Sequence, residues 1–502
     1  MRNLITLLTL IICIYANGQS KTFIEYDTKT SQVFYEYLKS IDKKIIDLQN
    51  SVVPIDITKQ LNELEAQLKA ADVKIKALEE RVAKLENENP TDPTDPIDTI
   101  IPSPVEGIFG YGKNTVGGEG GRVINVSNLN DSGAGSFREA VEASGARIIE
   151  FNGLEGRIDV TGETIKITNP NITIRFQTAK GKGITLSRET KDRPILEIDT
   201  DEVIIEYMRT RRSTSYRSGN NSDNVWVNSG NNIVFNHCSF AWSSDGNLDL
   251  ANYDGQPGRP PKIEISNVTI QYCIFTNSYG GSNKTSLVSR GATNITYFRN
   301  AWLSTATRNP SISTPVNEAP TWDCYYEHIN NFHYDYTNGP SYNNNDPSPD
   351  AGIYYVNVIK NRAMENTTST GIVDPNIETY PASKRRWLRA STVGNGMKIY
   401  VEGNITYYRP NETYDEWEIG QNSGGEADRN KLIPENLRSY TVNPTPIITD
   451  NIELWDANDI WDNLKDHVGA SLPMRDAEDR RAINDVDLGI STENKVENKF
   501  DD

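Results

Sequence analysis

The amino-acid sequence predicts an all-β chain whose main body is a parallel β-solenoid, preceded by an α-helical coiled-coil segment. Two observations carry the solenoid. Short β-branched runs begin at Asn171-Ile-Thr-Ile, Glu202-Val-Ile-Ile, Asn232-Ile-Val-Phe, Asn267-Val-Thr-Ile and Asn294-Ile-Thr-Tyr, so successive starts lie 31, 30, 35 and 27 residues apart. One strand motif per interval of that length is what stacked coils produce, because a coil cannot bury its own apolar face and must lie on its neighbours. The composition agrees: hydrophobic residues make up 36% of the chain, while 35 Gly, 24 Tyr and plentiful Asn, Ser and Thr suit a turn-rich, strand-dominated protein. A β-sandwich also alternates strands and turns, but nothing in its geometry asks for a recurrent Asn-aliphatic start.

The elements follow in order. Residues 1–18 read as an export signal, with Arg2 as the positive start, Leu4 to Ile14 as an apolar run too short to span a bilayer, and Ala16-Asn17-Gly18 as a small-x-small cleavage site. Ile12 before Cys13 argues against a lipid-modified cysteine. Residues 19–88 read as helical. Phe34, Leu38, Ile41, Ile45 and Leu48 form one stripe; after Pro54, Leu61, Leu64, Leu68, Ala71, Ile75, Leu78, Val82 and Leu85 form an a/d seam. A parallel coiled coil making a homo-oligomer and an antiparallel hairpin within one chain both fit this spacing. Residues 89–106, rich in Pro, Asp and Thr, read as an extended linker. The solenoid then occupies residues 107–490, and 491–502 form a polar tail.

The formal charge of −18 argues against a nucleic-acid partner, which calls for a basic footprint. No segment beyond the signal is apolar enough for a membrane span. Beyond Cys13, the cysteines are Cys238, Cys273 and Cys324, which form neither a disulfide framework nor a metal-type spacing. Cys238 and Cys273 take similar places in neighbouring repeats and read as buried small residues.

Three carboxylates stand out as candidate ligands for a hard cation such as Ca2+: Asp223, Asp245 and Asp249. Stacked coils bring such distant residues onto one face, although loop aspartates are often solvated turn formers. Lys284 and Arg308 fall on the next coils. Cations beside a carboxylate cluster point to a site for an acidic sugar, against the plainer reading of a surface salt bridge.

The stretch IFGYGKNTVGGEGGRVINVSNLNDSGAGSFREAVEASGARIIEF (108–151), the carboxylate segments, SNKTSL, RNP and VGASLPMRDAEDRR (468–481) occur in an order that resembles the bacterial pectate lyases of polysaccharide lyase family 1. The resemblance covers about residues 107–490 and leaves the helical segment out. It implies a right-handed parallel β-helix and a calcium-dependent lyase acting on polygalacturonate or pectate. Asp223, fourteen positions before His237, would join Asp245 and Asp249 as the calcium ligands. Lys284 would bind the substrate carboxylate and Arg308, the first arginine of R-x-P-x-x-R, would take the C5 proton. A guanidinium is protonated near neutrality, so this role implies an alkaline optimum. Three positions depart from the family pattern: Asn236 replaces an aspartate, Ser282 a histidine and Ser313 the second arginine.

Two basic clusters are candidates for holding further sugars: Arg209, Arg211, Arg212 and Arg217, then Lys384, Arg385, Arg386 and Arg389. Trp242 and the tyrosines are candidates for stacking on sugar rings, whereas His237 reads as an interior, stacked residue. Two other functions remain open from the residues. A glycoside hydrolase would recruit Asp245 and Asp249 as acid and base, with no need for Lys284 and Arg308. A lapsed lyase would bind uronans without turnover, as the three departures allow.

Overall fold

The computed structural model describes residues 107–490 except 190–192, 213–221, 244, 253–263, 277–283, 316, 345, 365–386, 393–395 and 423–430. The export signal, helical stripes, linker and tail lie outside the described residues, as do Arg217, Ser282, Lys384, Arg385 and Arg386.

Each coil of the chain contributes one short strand to each of three parallel sheets, here called C, A and B in chain order. One coil runs through Leu196–Asp199 in sheet C, Val203–Glu206 in sheet A and Arg209–Arg212 in sheet B. The next runs through Val225–Asn236, long enough to serve both C and A, and then Ser239–Ala241 in B. The described pairings are parallel and join each coil to its neighbours, which makes the architecture a parallel β-helix.

The recurrent motif of the sequence is the entry into sheet A. Asn171, Glu202, Asn232, Asn267 and Asn294 all adopt left-handed backbone, with φ of 60°, 59°, 61°, 55° and 54°. Asparagine tolerates that region better than most non-glycine residues, so it marks the corner where the chain turns into the sheet. The residue after each start then falls in one column of register partners: Ile172, Val203, Ile233, Val268, Ile295, Tyr326, Val356 and Ile399. All eight are buried. Truncating one such aliphatic to Ala costs about 2–5 kcal/mol, because the coils above and below hold the cavity open.

At the opposite end of sheet A the interior carries polar and aromatic stacks. Asn300, Asn331, Asn361 and Asn404 form a buried ladder in which each backbone N–H and side-chain amide donates to the next Oδ1 at 2.8–3.1 Å. The ladder continues to Cys273, whose N–H donates to Asn300 Oδ1, and to Cys238, whose N–H donates to Cys273 Sγ. Both cysteines, like Cys324, are free and buried. Phe240, Phe275, Trp302 and His333 stack at centroid spacings of 4.7–5.1 Å. His237 lies fully buried between Tyr207 and Tyr272, 4.8 Å from each ring, and burial lowers its pKa to about 3. It is an interior residue, as its sequence context suggested.

The glycine-rich opening, 107–121, crosses the outside of sheet A against the coil order. Its backbone N–H groups donate to outward side chains of successive coils: Phe109 to Gln271, Tyr111 to Thr296, Gly112 to Thr269 and Gly118 to Thr173. A Cβ on Gly118 would lie 1.9 Å from the Arg147 carbonyl, so the strip can lie flat only with glycine there.

The C-terminal helix Ala477–Leu488 docks beside sheet B, and two of the arginines expected to hold sugar make the dock. Arg209, Arg211 and Arg212 are each no more than 2% exposed. Arg211 donates to Asp476 at 2.8 Å and to Asp479 at 2.8 Å, while Arg209 donates to the carbonyls of Ala470 and Met474. Arg212 bonds the carbonyls of Arg193 and Asp223. Enclosed side chains bonded to the protein cannot reach a polymer on the surface, so the expectation of sugar binding is corrected for all three. Their spacing in sequence could not reveal that Arg209 and Arg211 face a segment more than 260 residues away.

Candidate active site

The predicted acidic and basic residues meet where the chain enters sheet C from sheet B. Asp223 precedes the strand Val225–Asn236; Asp245 and Gly246 form the turn before Leu248–Leu250, whose central residue is Asp249. Lys284 pairs with Thr307 as an isolated bridge ahead of Leu287–Val288, and Arg308 follows Thr307 ahead of Ser311–Thr314. These are four consecutive coils. At the usual separation of neighbouring strands, 85 residues of sequence are folded into about 14 Å of column.

Backbone hydrogen bonds hold the column in register. Asn224 N–H donates to Gly246 O, Asn247 to Thr285 O, Thr285 to Thr307 O and Ser286 to Arg308 O, at 2.6–3.0 Å. The carboxylates are then oriented singly. Asp223 Oδ1 accepts from Gly246 N–H at 2.7 Å, and Asp249 Oδ1 accepts from Leu287 N–H at 2.8 Å. Lys284 Nζ lies 2.7 Å from Asp245 Oδ1, and Arg308 Nη1 lies 3.4 Å from Asp249 Oδ2. Lys284 and Arg308 keep 22% and 25% of their side chains exposed, so both cations face solvent from an otherwise closed wall. Arg308 has a φ of 62°, a sparsely populated conformation for a side chain of its size.

The electrostatics are those of crowded, poorly hydrated carboxylates. Burial pushes Asp249 up to about 7, opposed by Arg308 and by the Leu287 N–H. Asp223, partly exposed at one edge, is raised well above the usual carboxylate range by loss of water and then by the charges of Asp249 and Asp245. Such a pair holds protons tightly because it lacks enough positive charge.

Gly246, which the motif reading passed over, sits between the two. A Cβ there would lie 2.2 Å from Asp249 Oδ1 and 2.8 Å from Asp223 Oδ1, so only glycine lets both carboxylates close on this turn. The Asp245-Gly246 turn dipeptide was the available signal. Among the described residues no three His, Cys, Asp or Glu side chains are drawn together at metal-binding spacing; Lys284 and Arg308 neutralise two of the three carboxylates instead. The donor chemistry, three carboxylates with hard oxygens on neighbouring coils, is of the kind that a calcium ion takes.

The departures fall in different places. Asn236 lies buried on the outer face of sheet A, its Oδ1 accepting from Gln271 Nε2 and His237 Nδ1. Ser313 lies in sheet C, paired with Asn343. Trp242 is nearly buried, which leaves little of its ring for a sugar.

No protein-family model matches the chain. The chain is similar to curated fungal proteins called probable pectate lyase C. That of Aspergillus fumigatus is 29% identical over 349 residues, 68% of this chain and 70% of the relative. That of Aspergillus flavus is 35% identical over 217 residues, 42% of this chain and 45% of the relative. Among solved structures, a pectate lyase from a Bacillus species in complex with trigalacturonate aligns with a TM-score of 0.38 and 17% identity, covering 72% of this chain and 98% of the other.

Proposed function

We propose that this chain is an exported, calcium-dependent pectate lyase that cleaves 1,4-linked polygalacturonate by β-elimination. The observation that carries the proposal is the column at sheet C: Asp223, Asp245, Asp249, Lys284 and Arg308 come from four consecutive coils, with Lys284 paired to Asp245 and Arg308 to Asp249. The similarity to the Aspergillus fumigatus relative spans that column and most of the β-helix. A hydrolase has no use for Lys284 and Arg308, which stand in the middle of the cluster.

Asp223, Asp245 and Asp249 would hold the calcium. When bound, the ion supplies a hard positive charge that draws electron density onto the C6 carboxylate of a uronate residue. Lys284 binds the same carboxylate and stabilises the charge that develops as the C5 proton leaves. Arg308, as the neutral guanidine that alkaline pH favours, receives that proton. The C–H electron pair becomes the C4–C5 double bond as the C4–O bond breaks, and the departing oxygen takes a proton. No water is consumed, and the new non-reducing end is unsaturated.

The test is ultraviolet absorbance of unsaturated product from polygalacturonate at alkaline pH, with calcium and then with chelator. A calcium-dependent rise is expected, reduced by about 10²–10⁴-fold in Arg308→Ala, as removal of a proton-transfer group requires. Binding of polygalacturonate without any absorbance rise would instead assign the chain to the non-catalytic uronan binders.

A further inference from the structure

Arg212 is the last residue of the strand Arg209–Arg212 in sheet B, and the acidic column begins after it. Asp223 follows eleven residues later in the chain, yet the two meet: Arg212 Nη2 donates to the Asp223 carbonyl at 2.7 Å. The same nitrogen donates to the Arg193 carbonyl at 3.0 Å, just ahead of the strand Leu196–Asp199. The side chain is 1% exposed, so it reaches neither solvent nor a polymer. One enclosed guanidinium therefore ties the first carboxylate of the column to the coil before it.

A buried arginine ordinarily takes a carboxylate, since its planar fork matches one and its charge calls for a partner. Arg212 takes Asp223 by the main chain instead. The Asp223 carboxylate is left to the next coil, where Oδ1 accepts from the Gly246 N–H at 2.7 Å. Asp245 pairs with Lys284 and Asp249 with Arg308, but among the described residues no lysine or arginine pairs with Asp223. Its main chain is meanwhile held from both sides. Arg212 grips the carbonyl from the preceding coil, and the Asn224 N–H donates to the Gly246 carbonyl of the next at 2.9 Å. A carboxylate held still and left without a cation is what a metal site asks of its ligand.

We propose that Arg212 is a positioning residue for the calcium site: through the Asp223 carbonyl it holds the Asp223 carboxylate in place for the ion, and so sets calcium affinity without touching ion or substrate. The inference rests on the calcium site of the lyase reading and deepens it. Its sign is distinctive. A buried cation near a metal site repels the metal, so by charge alone the loss of Arg212 would tighten calcium binding. Loss of the carbonyl bond works the other way, because ligands without their supporting partners bind metal less well.

Calorimetric titration of the chelated protein with calcium tests it in the wild type, Arg212→Met, Arg212→Lys and Arg188→Met, with thermal melts on each. Arg188 is the register partner of Arg212 on the preceding strand, 2% exposed, and its Nη2 donates to the Gly162 carbonyl. It reports what the loss of a buried arginine does to the fold alone. Arg212→Met is expected to weaken calcium binding about tenfold, while Arg188→Met stays within about twofold of the wild type. Arg212→Lys, which keeps the charge and one donor, should fall between, at about threefold, and it decides the question where Met fails to fold. Unchanged or tighter binding in the folded Arg212 variant, or an equal loss in Arg188→Met, overturns the proposal. The wild type is read first, beside the absorbance assay. Calcium uptake without unsaturated product overturns the lyase reading and leaves the arginine comparison to stand or fall by itself; a wild type that takes up no calcium overturns this proposal.

Discussion

Gly246 and Asp223 illustrate how little material decides the chemistry at the scale of single residues. Gly246 N–H donates to Asp223 Oδ1, and the missing Cβ is what lets Asp223 and Asp249 close on the turn. Gly246→Ala is therefore expected to weaken calcium binding by at least about tenfold, the equivalent of roughly 1.4 kcal/mol. Calorimetric titration of the chelated protein with calcium measures this directly. The melt should fall as well, because Gly246 is buried and a Cβ there meets the Asp249 carboxylate. An unaltered calcium affinity would move the metal site away from this turn. The acidic trio, Lys284 and Arg308 were all legible in the sequence because each stands in a recognisable local pattern. Gly246 was not, since its closeness to Asp223 comes from the coil below.

Among the elements, the segments that wrap the β-helix carry buried charge whose role only packing explains. Glu327, on the outside of sheet A, is 1% exposed and accepts from Thr296 Oγ1 and from Ile447 N–H in the C-terminal stretch. Burial raises its pKa to about 7, against the lowering effect of those donors and of Thr445. The folded chain thus binds a proton there that the unfolded chain releases near pH 4.5. This contribution is fully present below the unfolded value and is lost as pH rises through about 7. We expect stability to fall by up to about 3 kcal/mol over that interval from this group. Glu327→Gln should flatten the slope in denaturant titrations between pH 5 and 8; an unchanged slope would remove Glu327 as its source. The docking of the helix Ala477–Leu488 is the opposite case: Arg211 and Arg209 beside Asp476 hold its pKa down to about 2, so acid weakens that contact. The motif VGASLPMRDAEDRR was visible in the sequence, but its arginine partners were mistaken for a sugar surface because no local signal says which face a strand turns to solvent.

For the whole molecule, the arrangement is nearly one-dimensional, each coil touching mainly its neighbours. The site residues all lie between Asp223 and Arg308, while the strip that covers sheet A begins at Gly107, whose carbonyl accepts from Gln271 Nε2. A fragment of residues 107–502 should therefore keep kcat and KM within about twofold of the full chain. If residues 19–88 assemble the protein, sedimentation should show the fragment as a monomer and the full chain as an oligomer. Equal sedimentation states would assign those residues to an intrachain hairpin.

The sequence by itself determined the periodicity: a corner asparagine and an aliphatic column recur because every coil must solve the same burial problem, and local composition records that solution. It also determined the types of residue at the site, since carboxylates, lysine and arginine advertise their chemistry wherever they stand. Tertiary structure alone decided which of them meet. Stacking converts separations of 23 to 59 residues into contacts at Gly246 and between Arg308 and Asp249, and it turns Arg209 and Arg211 towards a distant C-terminal segment. The reason is physical: burial and ion pairing depend on the neighbouring coil, and no window of the chain contains that neighbour.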